Sequence, residues 1–220
     1  MQKAVKVDID TAAPLHPEAS ILIIYTGGTV GMVFDEKEKH LVPFNFSQIL
    51  DHVPELRQFN YLLTVLSVEN PIDSSNVTLK DWLMLARLVE ENYSKYDGFV
   101  ILHGTDTMAY SASALSYLLE NLQKPVIFTG AQVPIGRIRT DARENLITAL
   151  QIAATKNNGK SMVPEVCIYF RNLLLRGNRA SKVESSHFDA FKSEAYPPLA
   201  ETGIDIEYSH DHIIQPPQEP

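Results

Sequence analysis

Apolar residues fall along this chain in two rhythms. Short, mostly apolar runs occupy 20–26, 61–68, 99–102, 125–129 and 165–170. Runs of this length, rich in Ile, Val, Leu and Phe and without polar alternation, predict parallel strands covered on both faces. Between them the spacing becomes helical. Trp82, Leu85, Leu88 and Val89 mark one helix that reaches about Tyr93. Met108, Ala112, Leu115, Leu119 and Leu122 mark a second, and Leu146, Ala149, Leu150 and Ala153 a third within 141–156. Thr78, with Asp81 three residues on, has the form of a capping box. Strand and helix alternate about five times. The predicted fold is therefore α/β: an open, mostly parallel sheet with helices on both faces, a flavodoxin- or Rossmann-like three-layer arrangement.

The remaining segments read as connections. Met32-Val-Phe34, the charged tip Asp35-Glu-Lys-Glu-Lys39 and Leu41-Val-Pro43 predict a β-hairpin with a polar tip, a flap over the site. Asn45 is placed to cap a short helix over 47–52 that ends near Pro54. Residues 1–19 read as a loose leader, 20–208 as the catalytic domain, and 209–220 as the start of an interdomain linker. The linker reading comes from the ending Gln215-Pro-Pro-Gln-Glu-Pro220. The stretch after Phe170, with Pro197-Pro198, reads as irregular, apart from a short edge strand over 204–207.

Composition narrows the function classes. The formal net charge of -8, without any basic block, argues against a nucleic-acid surface, which needs clustered Lys and Arg. The first nineteen residues lack the apolar core of a signal peptide, and no run approaches membrane-spanning length, so a cytoplasmic protein is expected. The single cysteine, Cys167, lies inside an apolar run and reads as a small buried hydrophobe. The seven histidines are scattered; His210-Asp211-His212 is the one pairing at ligand spacing. No metal and no cofactor are expected.

Two strand ends carry candidate chemistry. The run over 99–102 stops at His103-Gly-Thr-Asp-Thr107, and the run over 20–26 stops at Thr26-Gly27-Gly28-Thr29. In parallel α/β sheets ligands bind outside the carboxyl ends of the strands. Asp106 stands where a helix dipole favours negative charge; beside a threonine hydroxyl it can orient a cation, bind a substrate ammonium or simply cap the helix. Gly27 and Gly28 let backbone N–H groups approach a developing oxyanion. The glycines lack the G-x-G-x-x-G spacing, and a hairpin follows rather than a helix, so no nucleotide loop is read. A threonine hydroxyl needs a base or cation to become a nucleophile. Lys182, after the fifth strand, can reach the carboxyl edge; Lys80, Lys95 and Lys124 suit solvated faces better.

These residues carry a family resemblance. Tyr25-Thr-Gly-Gly-Thr-Val-Gly31, His103-Gly-Thr-Asp-Thr-Met-Ala-Tyr110, Asp73-Ser-Ser75, Lys124-Pro-Val-Ile-Phe-Thr-Gly130 and Arg176-Gly-Asn-Arg-Ala-Ser-Lys182 occur in one order. Together they resemble the bacterial-type L-asparaginases, most closely the cytoplasmic type I branch. The resemblance implies hydrolysis of L-asparagine to L-aspartate and ammonia, without cofactor, by a homodimer or homotetramer. It implies Thr26 as the nucleophile, and Thr105, Asp106 and Lys182 as a second constellation that polarises the attacking group. It also implies Asp106 on the α-ammonium, and Asp73, Ser74 and Ser75 in the loop that receives the α-carboxylate. Two departures stand out. Many members place a tyrosine in the mobile hairpin, whereas Leu41 stands there here, so another group must activate Thr26. Members also carry a smaller C-terminal domain that completes a neighbour's site, and this chain is expected to hold the N-terminal domain alone.

Two rival readings remain at this point. One is a glutamine-hydrolysing subunit of the related tRNA-dependent amidotransferase, whose branch carries more N-terminal sequence. The other is a non-catalytic amino-acid sensor on the same scaffold.

Overall fold

The computed structural model describes residues 4–9, 11–12, 16–35, 39–43 and 49–216. In chain order the strands are β1 (Ala4–Ile9), β2 (Ala19–Tyr25), β3 (Met32–Asp35), β4 (His40–Pro43), β5 (Tyr61–Val68), β6 (Gly98–Leu102), β7 (Val126–Thr129), β8 (Lys156–Asn157), β9 (Lys160–Ser161), β10 (Val166–Phe170), β11 (Leu173–Arg176), β12 (Ser181–Lys182), β13 (Phe191–Lys192), β14 (Ala200–Thr202) and β15 (Ile206–Tyr208). The helices are α1 (Ile49–His52), α2 (Leu79–Asn92), α3 (Met108–Leu118) and α4 (Ala142–Ala154).

Nine strands make one sheet in the order β1-β5-β2-β6-β7-β10-β11-β14-β15. The five apolar runs form its parallel centre, β5-β2-β6-β7-β10. Antiparallel strands flank it on both sides. The central order is the flavodoxin-like one, which reverses direction between β2 and β6 and opens a crevice at their carboxyl ends.

Alternation along the strands divides the core into two layers. Ile21 and Ile23 of β2 and Val100 and Leu102 of β6 pack with Leu146, Ala149 and Leu150 of α4. Leu22, Ile24, Phe99 and Ile101 pack on the other face with Leu85 and Val89 of α2 and Met108, Ala112 and Leu115 of α3. Each such Val, Leu, Ile, Phe or Met side chain, fully withdrawn from water, contributes about 1.5–3 kcal/mol. Cys167 lies in the first layer, fully buried, and burial pushes its thiol well up.

The capping box forms as expected: the Asp81 carboxylate accepts from the Thr78 N–H at 2.8 Å and from its hydroxyl at 2.7 Å. β3 pairs antiparallel with β4, as a hairpin requires, while residues 36–38 of the expected charged tip lie outside the described residues. Asn45 and Ser47, the expected start of the short helix, lie outside the described residues, and α1 covers only 49–52.

Several expectations change. Part of the expected leader, residues 4–9, is β1, an edge strand paired with β5 from Ala4↔Val68 to Ile9↔Leu63. Helix α3 stops at Leu118 instead of running to Leu122: the chain already turns extended at Leu119, at φ -103° and ψ 92°, and Asn121 follows in the left-handed region at φ 53°. Leu119 and Leu122 still pack against the core. The stretch expected to be irregular contains β11 to β14.

Two further corrections concern charged residues. Lys124 is not simply solvated: its ammonium donates to the carbonyls of Tyr93 and Tyr96 at the end of α2 and sits over the Tyr93 ring. The expected linker start is strapped down as far as Ile214. The half-buried Arg176 donates to the buried Glu165 carboxylate and to the carbonyl of His212, while the Ile214 N–H donates to Glu165.

Candidate active site

The crevice predicted by the strand order is a cleft of about 530 Å³ whose lining includes Gly28, Thr29, Asp73, Thr105, Asp106 and Lys182. Several loops line it, among them the loop after β7, which brings Gln132. The loop after β2 brings Gly28 and Thr29, the loop after β6 brings Gly104 to Asp106, and the short turn Ser74–Asn76 closes one side. Larger cavities exist elsewhere, but this is the one at the switch point and the one that gathers the motif residues.

Backbone proximity explains the glycines. Gly28 sits at φ 85°, and a Cβ there would lie 2.6 Å from the amide nitrogen of Gly104. Gly27, at φ 128°, would press a Cβ to 2.5 Å from the Ile72 carbonyl oxygen. Only glycine adopts such conformations with backbone so near. Of the two, Gly28 lines the cleft, while Gly27 is buried and is not part of its lining. Beneath the loop the Tyr25 hydroxyl donates to the Gly31 carbonyl at 3.2 Å, and burial pushes the Tyr25 phenol up to about 12.

The structure separates the two threonines of the first motif. Thr26 is 2% exposed, does not line the cleft, and donates its hydroxyl to the Leu102 carbonyl at 2.8 Å. That hydroxyl, expected as the nucleophile, ties β2 to β6 and does not border the cleft. Thr29, three residues on, is half-buried and forms part of the cleft wall. The left-handed pair Gly27-Gly28 turns the chain between them, so the second threonine faces the crevice.

Thr105, Asp106 and Lys182 come together as expected. The Lys182 ammonium donates to the Thr105 hydroxyl and to Asp106 Oδ1, each at 2.8 Å. Lys182 is held by β12, a two-residue strand paired with β13 that sequence periodicity did not reveal. Its side chain is 16% exposed and that of Asp106 is 62% exposed, so the ion pair lies at the cleft mouth.

The 73–76 turn is half as expected. Asp73 accepts from the Ser75 N–H at 3.0 Å, the Ser75 hydroxyl at 2.7 Å and Asn76 at 3.2 Å. The hydrogen bonds from the Ser75 side chain and backbone hold its carboxyl below the usual value. Asp73 and Ser74 line the cleft, and Ser75 does not. The Ser74 hydroxyl packs close to Gly104, where a Cβ would fall 2.4 Å from it. Two carboxylates and one ammonium thus border the cleft, beside neutral hydroxyls. That lining suits a small zwitterion.

Behind the second motif lies a buried relay. Gly104 O only accepts, so His103 Nδ1 carries the proton it donates at 2.7 Å; His103 Nε2 then accepts the Ser111 hydroxyl at 3.0 Å. Trp82 Nε1 donates to Ser111 at 2.9 Å. Burial lowers the His103 pKa, which keeps the ring neutral. The sequence had suggested no role for His103. Gln132 was also missed, although it follows β7 as the other site residues follow β2 and β6. Among the described residues no group of three or more His, Cys, Asp or Glu is arranged to hold a metal. No helix among them is long and apolar enough to cross a membrane.

A family model described as asparaginase, N-terminal, matches residues 20–214. L-asparaginase 1 of Escherichia coli K12 is 45% identical over 188 residues, covering 85% of this chain and 54% of that protein. The 60 kDa lysophospholipase of Homo sapiens is 41% identical over 223 residues, covering 92% of this chain and 38% of that protein. The crystal structure of L-asparaginase I from Vibrio cholerae matches with a TM-score of 0.81 at 42% identity, over 92% of this chain and 60% of that one. The chain therefore spans between about two fifths and three fifths of the length of these relatives.

Proposed function

The chain belongs to the asparaginase family, and from that premise we propose that it is the catalytic domain of an amidohydrolase that converts L-asparagine and water to L-aspartate and ammonia. The observation that carries this reading is the Lys182 ammonium, 2.8 Å from both the Thr105 hydroxyl and Asp106 Oδ1, on a cleft that Thr29 also lines.

In this reading Thr29 is the nucleophile. Its oxygen attacks the side-chain amide carbon, the C–N bond breaks, and nitrogen leaves as ammonia with the proton that Thr29 gave up. An ester joins Thr29 to the aspartyl group until water, oriented by Thr105 and Lys182, hydrolyses it and returns the proton to Thr29. The Gly28 N–H supports the oxyanion. Asp106 and Asp73 attract the α-ammonium, and the Ser74 hydroxyl with nearby backbone N–H groups receives the α-carboxylate. Ser75 acts through Asp73.

The charged and hydroxyl-bearing part of the lining favours a small zwitterion as the substrate. The intact protein works as a homodimer or homotetramer in the cytoplasm. Leu79, Leu83, Tyr110, Tyr117 and Leu118, exposed on α2 and α3, are the apolar surface that such an assembly would cover. The test is ammonia release from asparagine and from glutamine by the intact protein, with and without Thr29→Ala and Thr105→Ala. Near-normal turnover in either variant rejects the assignment. Aspartate binding without turnover in the wild type would leave a sensor.

A further inference from the structure

Gln132 lies on the cleft wall, between the constellation and the segment that follows Lys182. Its backbone is pinned. The Gln132 N–H donates to both oxygens of the buried Asp141 carboxylate, at 3.1 and 3.0 Å, and the Val133 N–H donates to the same group at 3.0 Å. Asp141 is held in turn by Asn145 Nδ2 at 3.3 Å, and Asn145 also donates to the Gly130 carbonyl at 3.0 Å. The loop after β7 is thus riveted to the first turn of α4, and the Gln132 side chain leaves it from a fixed base.

The donor inventory sets the direction of every bond that follows. The Gln132 side-chain amide meets the His187 carbonyl at 3.1 Å and the Thr105 hydroxyl at 3.2 Å. A carbonyl only accepts, so the amide nitrogen faces His187 and Oε1 faces Thr105. Oε1 only accepts, so the Thr105 O–H donates to it. An ammonium only donates, so Thr105 receives Lys182 Nζ–H on one lone pair. One lone pair of Thr105 then remains for the cleft.

We infer that Gln132 is a positioning residue for the reaction: by taking the Thr105 proton it fixes the hydroxyl rotor, so that the Thr105 oxygen meets the cleft as an acceptor. This rests on the amide hydrolysis proposed above. An acceptor at that point orients the O–H of an incoming water, and its loss slows the chemical step without weakening substrate binding. The same side chain bridges the loop after β7 to the segment carrying His187, and so holds Lys182 and Thr105 in register from two sides.

The experiment compares Gln132→Met and Gln132→Glu with wild type in the intact protein, by ammonia release and by calorimetric binding of aspartate. Methionine keeps the length but takes no proton from Thr105, whereas glutamate keeps the acceptor. The expected result for Gln132→Met is a kcat lower by about 10- to 100-fold, with KM and aspartate affinity within about twofold of wild type. Gln132→Glu should retain at least about five times the kcat of Gln132→Met. A Gln132→Met enzyme with unchanged kcat overturns the inference. So does a rise in KM at constant kcat, or a Gln132→Glu variant no faster than Gln132→Met. Wild-type protein that releases ammonia while Gln132→Met is unaffected rejects this inference alone; wild-type protein without ammonia release rejects the amidohydrolase reading and this inference with it.

Discussion

Lys182 and Thr105 stand 77 residues apart in sequence and 2.8 Å apart in space, ammonium on hydroxyl. The contact joins the loop after β6 to a strand of two residues, and no local pattern links them. It is also the part of the site that has both a charge and a reactive oxygen. Lys182→Met should lower kcat by about 10²- to 10⁴-fold, the range expected when a polarising or proton-handling group is removed. Its effect on stability should stay below about 1 kcal/mol, because the partner Asp106 is largely solvent-exposed. Steady-state kinetics and a urea titration of the same preparation measure both. A variant that loses stability and retains rate would contradict the assigned role.

The two threonines of the glycine loop separate cleanly by substitution. Thr29→Ala should abolish turnover. Thr26→Val should keep it within a few-fold and cost about 1 kcal/mol, the net contribution of one buried hydrogen bond. The Leu102 carbonyl would still receive the Thr26 N–H at 3.1 Å. Ammonia release and thermal denaturation on the two variants decide the matter. If Thr26→Val is inactive and Thr29→Ala active, the assignment is reversed.

Gly28→Ala tests the approach of the two loops. A methyl group would be forced to 2.6 Å from the Gly104 nitrogen, at a φ that costs a side-chain-bearing residue about 1–3 kcal/mol even in open space. Either the loops part and activity falls, or the overlap destabilises the fold by more than that amount. Calorimetric melting together with turnover follows both routes. A variant that melts and turns over like wild type would show that the loops do not touch.

His103 gives stability a pH dependence. Burial lowers its folded pKa below the ordinary value, near 6.5. The neutral ring therefore supports the fold fully above that pH. As pH falls below it, the unfolded chain takes up a proton that the folded chain refuses, and stability declines until the folded pKa is reached. Between pH 7.5 and 5.5 the melting temperature should fall more steeply in wild type than in His103→Gln, whose side chain does not titrate. Parallel slopes would show that His103 is not the group responsible.

The strap after β15 depends on Arg176. Its guanidinium reaches Glu165 at 2.6 and 3.1 Å and the His212 carbonyl at 2.7 Å. Arg176→Met leaves Glu165, only 6% exposed at its side chain, without its counter-charge. Removing one partner of such a buried pair costs about 3–5 kcal/mol. Residues 209–214 should then become accessible to protease while the cleft keeps its shape. Limited proteolysis with mass mapping tests this. Unchanged cleavage in that segment would show that the strap does not rely on the pair.

Much of this was legible along the chain, for a physical reason. A strand buried on both faces has to be apolar throughout, and a helix with one buried face has to repeat at 3.6 residues, so β2, β5, β6, β7, β10, α2 and α4 are written in local composition. The carboxyl-end rule then pointed to the segments around Thr105 and around the glycine pair. β1 was illegible because an edge strand buries little: its residues from Ala4 to Asp8 are exposed or half-buried, and its register comes from the open edge of β5. β12 and β13 are two residues each and have no period to read.

The sequence alone therefore determined the parallel core, the covering helices and the segments that converge on the crevice, because burial acts on neighbouring residues. Tertiary structure alone decided which hydroxyl borders the cleft, because the left-handed turn at Gly27 and Gly28 leaves Thr26 tied to β6 and puts Thr29 on the cleft wall. It also decided that Lys182 meets Thr105 and that Gln132 orients it. Those contacts join loops distant in sequence, and their directions follow from which atoms can donate and which can only accept.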